Sequence, residues 1–213
     1  MKNIKINQYT PREERLNIRS HAAGLLLSIP ALIMLMNKAI DQQQSLYVFA
    51  YLVYGLGQMT VFAASTFYHA SRNEDARRRL KVFDHSAIYI SIAGTYTPIT
   101  LLVLQGIWGW VVFAVVWTVA VMGIVLKLFF TGRFKTLSTI GYVGMGLIIV
   151  IAIQPLIEQM SVWGLIWLAA GGVFYMVGAV LYRLEKLPYN HATFHFFVLI
   201  AAACHFLMVY FHT

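Results

Sequence analysis

Seven stretches of this chain contain no Asp, Glu, Lys or Arg: residues 20–37, 46–69, 85–105, 108–126, 137–155, 162–182 and 191–211. A helix needs about 20 predominantly apolar residues to cross the hydrocarbon core of a bilayer, and each stretch is near that length. Together they leave little chain for a soluble domain. Hydrophobic residues make up 60% of the sequence and charged residues only 11%, less than half the charged share of an ordinary soluble domain. One cysteine, Cys204, excludes a disulfide scaffold. The expected fold class is all-α. It is a polytopic integral membrane protein with seven transmembrane helices, formed by residues 20–213 after a cytoplasmic segment 1–19.

The breaks between spans are short. The longest, residues 71–82 with the sequence SRNEDARRRLKV, reads as a polar loop, and Gly106 with Ile107 makes a tight turn. The first apolar run has a long basic leader and continues NKAIDQQQ without a small-residue cleavage site, so it reads as a retained anchor. Pro30, Pro98 and Pro155 lie within or at the ends of spans, where kinks are tolerated. Gly141, Gly144 and Gly146 are expected to let the fifth span pack closely on a neighbour.

Basic residues set the orientation. With a cytoplasmic N-terminus, the inside segments hold Lys2, Lys5, Arg12, Arg15, Arg19, Arg72, Arg77, Arg78, Arg79, Lys81, Lys127, Arg133, Lys135, Arg183 and Lys186. Lys38 is alone outside. Such asymmetry follows the positive-inside rule and places the C-terminus externally. It also accounts for the formal net charge of +8, so no nucleic-acid partner is expected. Membrane lipids are the expected partners, with Arg77–Lys81 able to meet anionic headgroups. The minimal termini favour a multi-pass protein of a bacterial inner (plasma) membrane.

Polar residues inside spans are costly and need a reason. Ser65 and His69 end the second span, Asp84 and His85 begin the third, and His191 and His195 begin the seventh. All lie near the cytoplasmic face in this topology. Residues four apart share a helix face, so His191 and His195 form a two-imidazole platform of the kind that holds zinc. His69 would complete three nitrogen ligands, and three ligands with an open fourth position is the catalytic zinc arrangement. Asp84 is expected to be the sole carboxylate at this depth. His21 reads as an interfacial or hydrogen-bonding residue, and His205 lies too deep to join the cluster. Cys204 reads as a small core residue, and the tryptophans as interface belts.

The S-x-x-x-H ending at His69, Asp84 and the H-x-x-x-H of His191 and His195 resemble the hemolysin III family. That family is the bacterial branch of the progestin and adipoQ receptor (PAQR) superfamily, with alkaline ceramidases as more distant relatives. Glu14-x-x-Asn17-x-x-x-His21 and Ala93-Gly94-Thr95-Tyr96-Thr97-Pro98 match as well. The resemblance implies seven helices and an intramembrane zinc near the cytoplasmic side. It implies His69, His191 and His195 as metal ligands, with Ser65 and Asp84 supporting the centre or activating water. The expected function is zinc-dependent hydrolysis of a lipid amide or ester at the cytoplasmic leaflet, serving lipid homeostasis. Asp84 would take the proton of the attacking water, or else cap the third helix. The rival expectation is a non-catalytic, zinc-stabilised protein that affects bilayer integrity or signals as a receptor. Pore, transporter and retinal-protein readings lack a charged ring, a mid-span carboxylate and a lysine in residues 192–211, respectively.

Overall fold

The computed structural model describes residues 4, 6–104, 106–184 and 186–213, with the side chain of residue 135 also left aside. Lys2 and Lys5, counted above among the cytoplasmic bases, lie outside the described residues. The helices are α1 (Pro11–Asp41), α2 (Ser45–Ala70), α3 (Glu74–Pro98), α4 (Ile107–Phe130), α5 (Lys135–Gly146), α6 (Ile153–Gln159), α7 (Val162–Arg183) and α8 (Asn190–His212). Among the described residues there is no strand. Seven segments are long and apolar enough to cross a membrane, α5 and α6 together supplying the fifth. Large apolar side chains such as Leu26, Ile107, Phe129 and Val162 point outward, a surface suited to lipid.

Both α1 and α3 start earlier than hydropathy suggests. Thr10 caps α1, its Oγ1 accepting from the Glu13 backbone N–H at 3.2 Å, and Pro11 follows at the first helical position. The first helix therefore begins within the segment expected to precede it. Residues 71–82 are likewise mostly helical. Asn73 caps α3 through Ala76 N at 2.9 Å, Glu74 and Asp75 favour its positive end, and Arg78 pairs with both acids. The charge run forms the first turns of a helix.

α3 is the central span: 72% of its apolar window is buried, against 17–44% for the others. It crosses α2 where Gly57 faces Gly94. A Cβ at either glycine would press on the neighbouring backbone, 3.2 Å from Ile90 O or 3.1 Å from Val53 O. That approach carries the Asp84 region of α3 alongside the Ser65–His69 end of α2. After Pro98 the helix widens into a π-helical turn, Ile99–Val103. Gly106, at φ +72°, then turns the chain into α4, as the tight-turn reading requires.

The fifth span is broken between Gly146 and Ile153 by a 3₁₀ segment, Ile148–Ala152. An interrupted helix in lipid leaves backbone groups unpaired unless protein supplies partners. The Tyr96 hydroxyl does so, donating toward Gly146 O (2.8 Å) and Met145 O (3.1 Å) and accepting from Ile149 N (3.0 Å). The glycines nearby do not serve close packing as expected. A Cβ at Gly144 or Gly146 would meet nothing within 4 Å, and at Gly141 only the Tyr89 hydroxyl at 3.4 Å.

Candidate metal centre

The last turn of α2 and the first turns of α8 meet against the start of α1. A left-handed Tyr189 leads into α8, and Asn190 Nδ2 donates to Tyr182 O at 2.9 Å, tying this start to the end of α7. Glu13 lies against the backbone N–H groups of His191 and Ala192, a carboxylate at the positive end of α8. The imidazoles of His69, His191 and His195 are thereby brought together, all buried, with one nitrogen from each within 4.8 Å of the others.

The nitrogens that converge are Nε2. His191 Nε2 lies 3.0 Å from His69 Nε2 and 3.1 Å from His195 Nε2. Three ligands on tetrahedral zinc at about 2.0–2.1 Å would stand roughly 3.4 Å apart, so the rings need only spread slightly from this geometry to hold an ion. The outward nitrogens fix the tautomers. His69 Nδ1 is 2.8 Å from Glu14 Oε2, and a carboxylate can only accept, so His69 carries its proton on Nδ1. His195 Nδ1 is 3.3 Å from Asn17 O, with Ser20 Oγ equally near, and also donates outward. Neutral rings then turn two Nε2 lone pairs toward His191, which can give a proton to only one. The other contact sets lone pair against lone pair unless a cation lies between. The residues present therefore fit a zinc-like ion.

Support for the three imidazoles comes from α1. Glu14 also pairs with Arg77 of α3 and accepts from Asn17 Nδ2 at 3.4 Å. A carboxylate behind a ligating histidine orients the ring and raises its basicity. His21 stacks on His195, ring centroids 3.6 Å apart, so it belongs to the site's wall rather than to the interface. Tyr9 covers the site from the segment preceding α1, stacked on His191 at 4.8 Å. Its burial holds the phenol well above the usual range, so the hydroxyl stays neutral and accepts from Asn7 Nδ2 at 2.9 Å.

Ser65 is buried one turn deeper on α2, and its Oγ has no hydrogen-bond partner among the described residues. Asp84 is close enough to Ser65 and His69 to interact with both, although the Ser65 contact falls short of a well-formed hydrogen bond. Asp84 is not a helix cap: it lies within α3, whose cap is Asn73. Nor is it the only carboxylate at this depth, since Glu13 and Glu14 reach the histidines from α1. Their signal was present in the spacing of Glu14, Asn17 and His21, which puts three polar groups on one helix face. Tyr9 and Ser20 carried no comparable signal. His205, as expected, stays apart and meets Leu168 O at 3.2 Å.

A family model described as haemolysin-III related matches residues 9–206 of the chain. The chain is 43% identical to Hemolysin-3 of Bacillus cereus over 201 residues, covering 94% of this chain and 92% of that protein. It is 39% identical to the Hemolysin-3 homolog of Bacillus subtilis (strain 168) over 204 residues, covering 96% of each. It is also 26% identical to the human Monocyte to macrophage differentiation factor over 164 residues, 74% of this chain and 68% of that protein.

Proposed function

Since this chain belongs to the haemolysin III family, a multi-pass membrane protein, we propose that it is a zinc-dependent hydrolase of a lipid amide or ester. The observation that carries this reading is the convergence of three Nε2 atoms whose rings are held from behind by Glu14, Asn17 and Ser20. Zinc bound there would polarise an acyl carbonyl and make water acidic near neutrality. Asp84 accepts the proton of that water as its oxygen bonds to the acyl carbon. As the carbon–nitrogen or carbon–oxygen bond breaks, Asp84 returns a proton to the leaving amine or alkoxide. The unpartnered Ser65 hydroxyl donates to the substrate oxygen. Tyr9, across the cytoplasmic side, keeps bulk water from the centre, and the lipid enters from the bilayer.

The test is turnover by purified protein in lipid vesicles. Fatty-acid release from ceramide or an acyl-ester lipid is expected to cease on chelation and return with zinc. A second reading is favoured by enclosure: no ligand is more than 8% exposed, as befits an ion that pins α2 to α8. Full zinc content with no release from any such lipid would establish that structural role instead.

The proposed site faces the cytoplasm of a bacterial inner membrane, with the N-terminus on that side. Reporter fusions at Lys38, Arg78 and Thr213 are expected to read outside, inside and outside. An inside signal at Thr213 would overturn this orientation.

A further inference from the structure

At the same end of the bundle as the histidine cluster lies a lysine the hydrolase reading does not use. Lys127, in the last turn of α4, is 5% exposed. Its neighbours Phe129 and Phe130 point outward, and a lysine this close to a helix end ordinarily extends its ammonium to water. Lys127 instead turns inward. Its Nζ donates to Ser138 Oγ of α5 and lies over the Tyr142 ring, 5.4 Å from the centroid. Among the described residues no carboxylate lies within ion-pair distance of it. An ammonium has three donors, and a buried charge without a counter-ion is costly.

A chain of contacts leads from this lysine to the proposed site. The Tyr142 hydroxyl donates to His85 O at 2.9 Å, and His85 Nδ1 donates to Lys81 O at 2.8 Å. Asp84, next to His85, interacts with Ser65 and His69. Lys81, also buried, donates to Asn7 Oδ1 at 3.1 Å and brings a second positive charge to this edge. The anion found at this depth in a bilayer is the lipid phosphate. It takes charge-assisted hydrogen bonds from ammonium and hydroxyl donors together.

We propose that the Lys127 ammonium, beside Ser138, binds the phosphodiester of a membrane phospholipid and presents its acyl esters to the histidine centre. This rests on the hydrolase reading and names its substrate class: a phosphate-bearing glycerolipid, in preference to an uncharged ceramide.

Delipidated protein in detergent would be titrated with dioleoylphosphatidylglycerol, with dioleoylglycerol and with inorganic phosphate. Native mass spectrometry would count bound ligand, with zinc measured on the same samples. Phosphatidylglycerol should bind at about one per chain, and Lys127→Gln should weaken it about tenfold or more, the scale of one lost charge-assisted bond. Dioleoylglycerol binding should not change, and Lys127→Arg should keep most of the phosphatidylglycerol affinity. Unaltered phosphatidylglycerol binding by Lys127→Gln, or equal weakening by Lys127→Arg, would overturn the site. Inorganic phosphate binding as tightly as phosphatidylglycerol and displacing it would assign the lysine to the free anion and overturn the lipid assignment. Zinc content separates the two readings: protein without zinc that still loses phosphatidylglycerol through Lys127→Gln keeps the phosphate site while the hydrolase reading fails.

Discussion

His195→Ala is expected to leave the purified protein essentially without zinc, from about one ion per chain at the start. The change removes one of three converging Nε2 donors; His205 is held at Leu168 O, and His21, stacked on His195, lies outside the three-nitrogen group. Losing a group behind a ligand typically costs about 10- to 100-fold in metal affinity. Losing a ligand outright should cost at least the upper end of that range. Glu14→Ala tests the lower part, because it removes only the carboxylate behind His69. Metal binding also contributes to folding, so the melting temperature of the unaltered protein should fall with a chelator while that of His195→Ala should not. His205→Ala is the control for metal content. Full zinc in His195→Ala, measured by elemental analysis, would place the metal elsewhere.

Asp84→Asn is expected to keep fold and zinc while losing about 10²- to 10⁴-fold in turnover, the usual cost of removing a general base. Asparagine preserves the shape and accepts hydrogen bonds, but it cannot take a proton from water. A capping role would predict no loss, yet the cap of this helix is Asn73, far from Asp84 in the same helix. Ser65→Ala removes one hydroxyl and should be milder. Normal fatty-acid release by Asp84→Asn would take Asp84 out of the chemistry. Glu14 would then be the next carboxylate to test, being already in contact with His69.

The seven spans were legible because lipid tolerates almost no charge along a crossing helix, and five of the seven charge-free runs lie wholly within single observed helices. The His191–His195 pair was legible because a four-residue step has one meaning on a helix. Hydropathy misplaced the starts of α1 and α3, since it registers burial in lipid and not the hydrogen bonds that begin a helix. The cap signals were nevertheless written in Thr10-Pro11 and in Asn73-Glu74-Asp75. The break in the fifth span had no counterpart in the residue pattern: Ile148–Ala152 is as apolar as any helix, and Tyr96, which makes the break tolerable, is about 50 residues away in the chain. Tyr9 over His191 was equally hidden, because a stacking contact between distant rings leaves no periodicity.

The centre is assembled from the two ends of the chain, and this sets a time at which it can first exist. His69 and its meeting partner His191 are 122 residues apart. At about 5–20 residues per second, roughly 6–24 s of synthesis separate them. Through that interval the first two helices stand in the bilayer with Glu14 and His69 facing an unfilled place. Only arrival of the seventh span supplies the remaining nitrogens, so an ion captured there, as proposed, would report that insertion has been completed. A chain stalled or misthreaded after the second helix would offer one of the three nitrogens and would not retain metal there, which would make occupancy a mark of finished biogenesis.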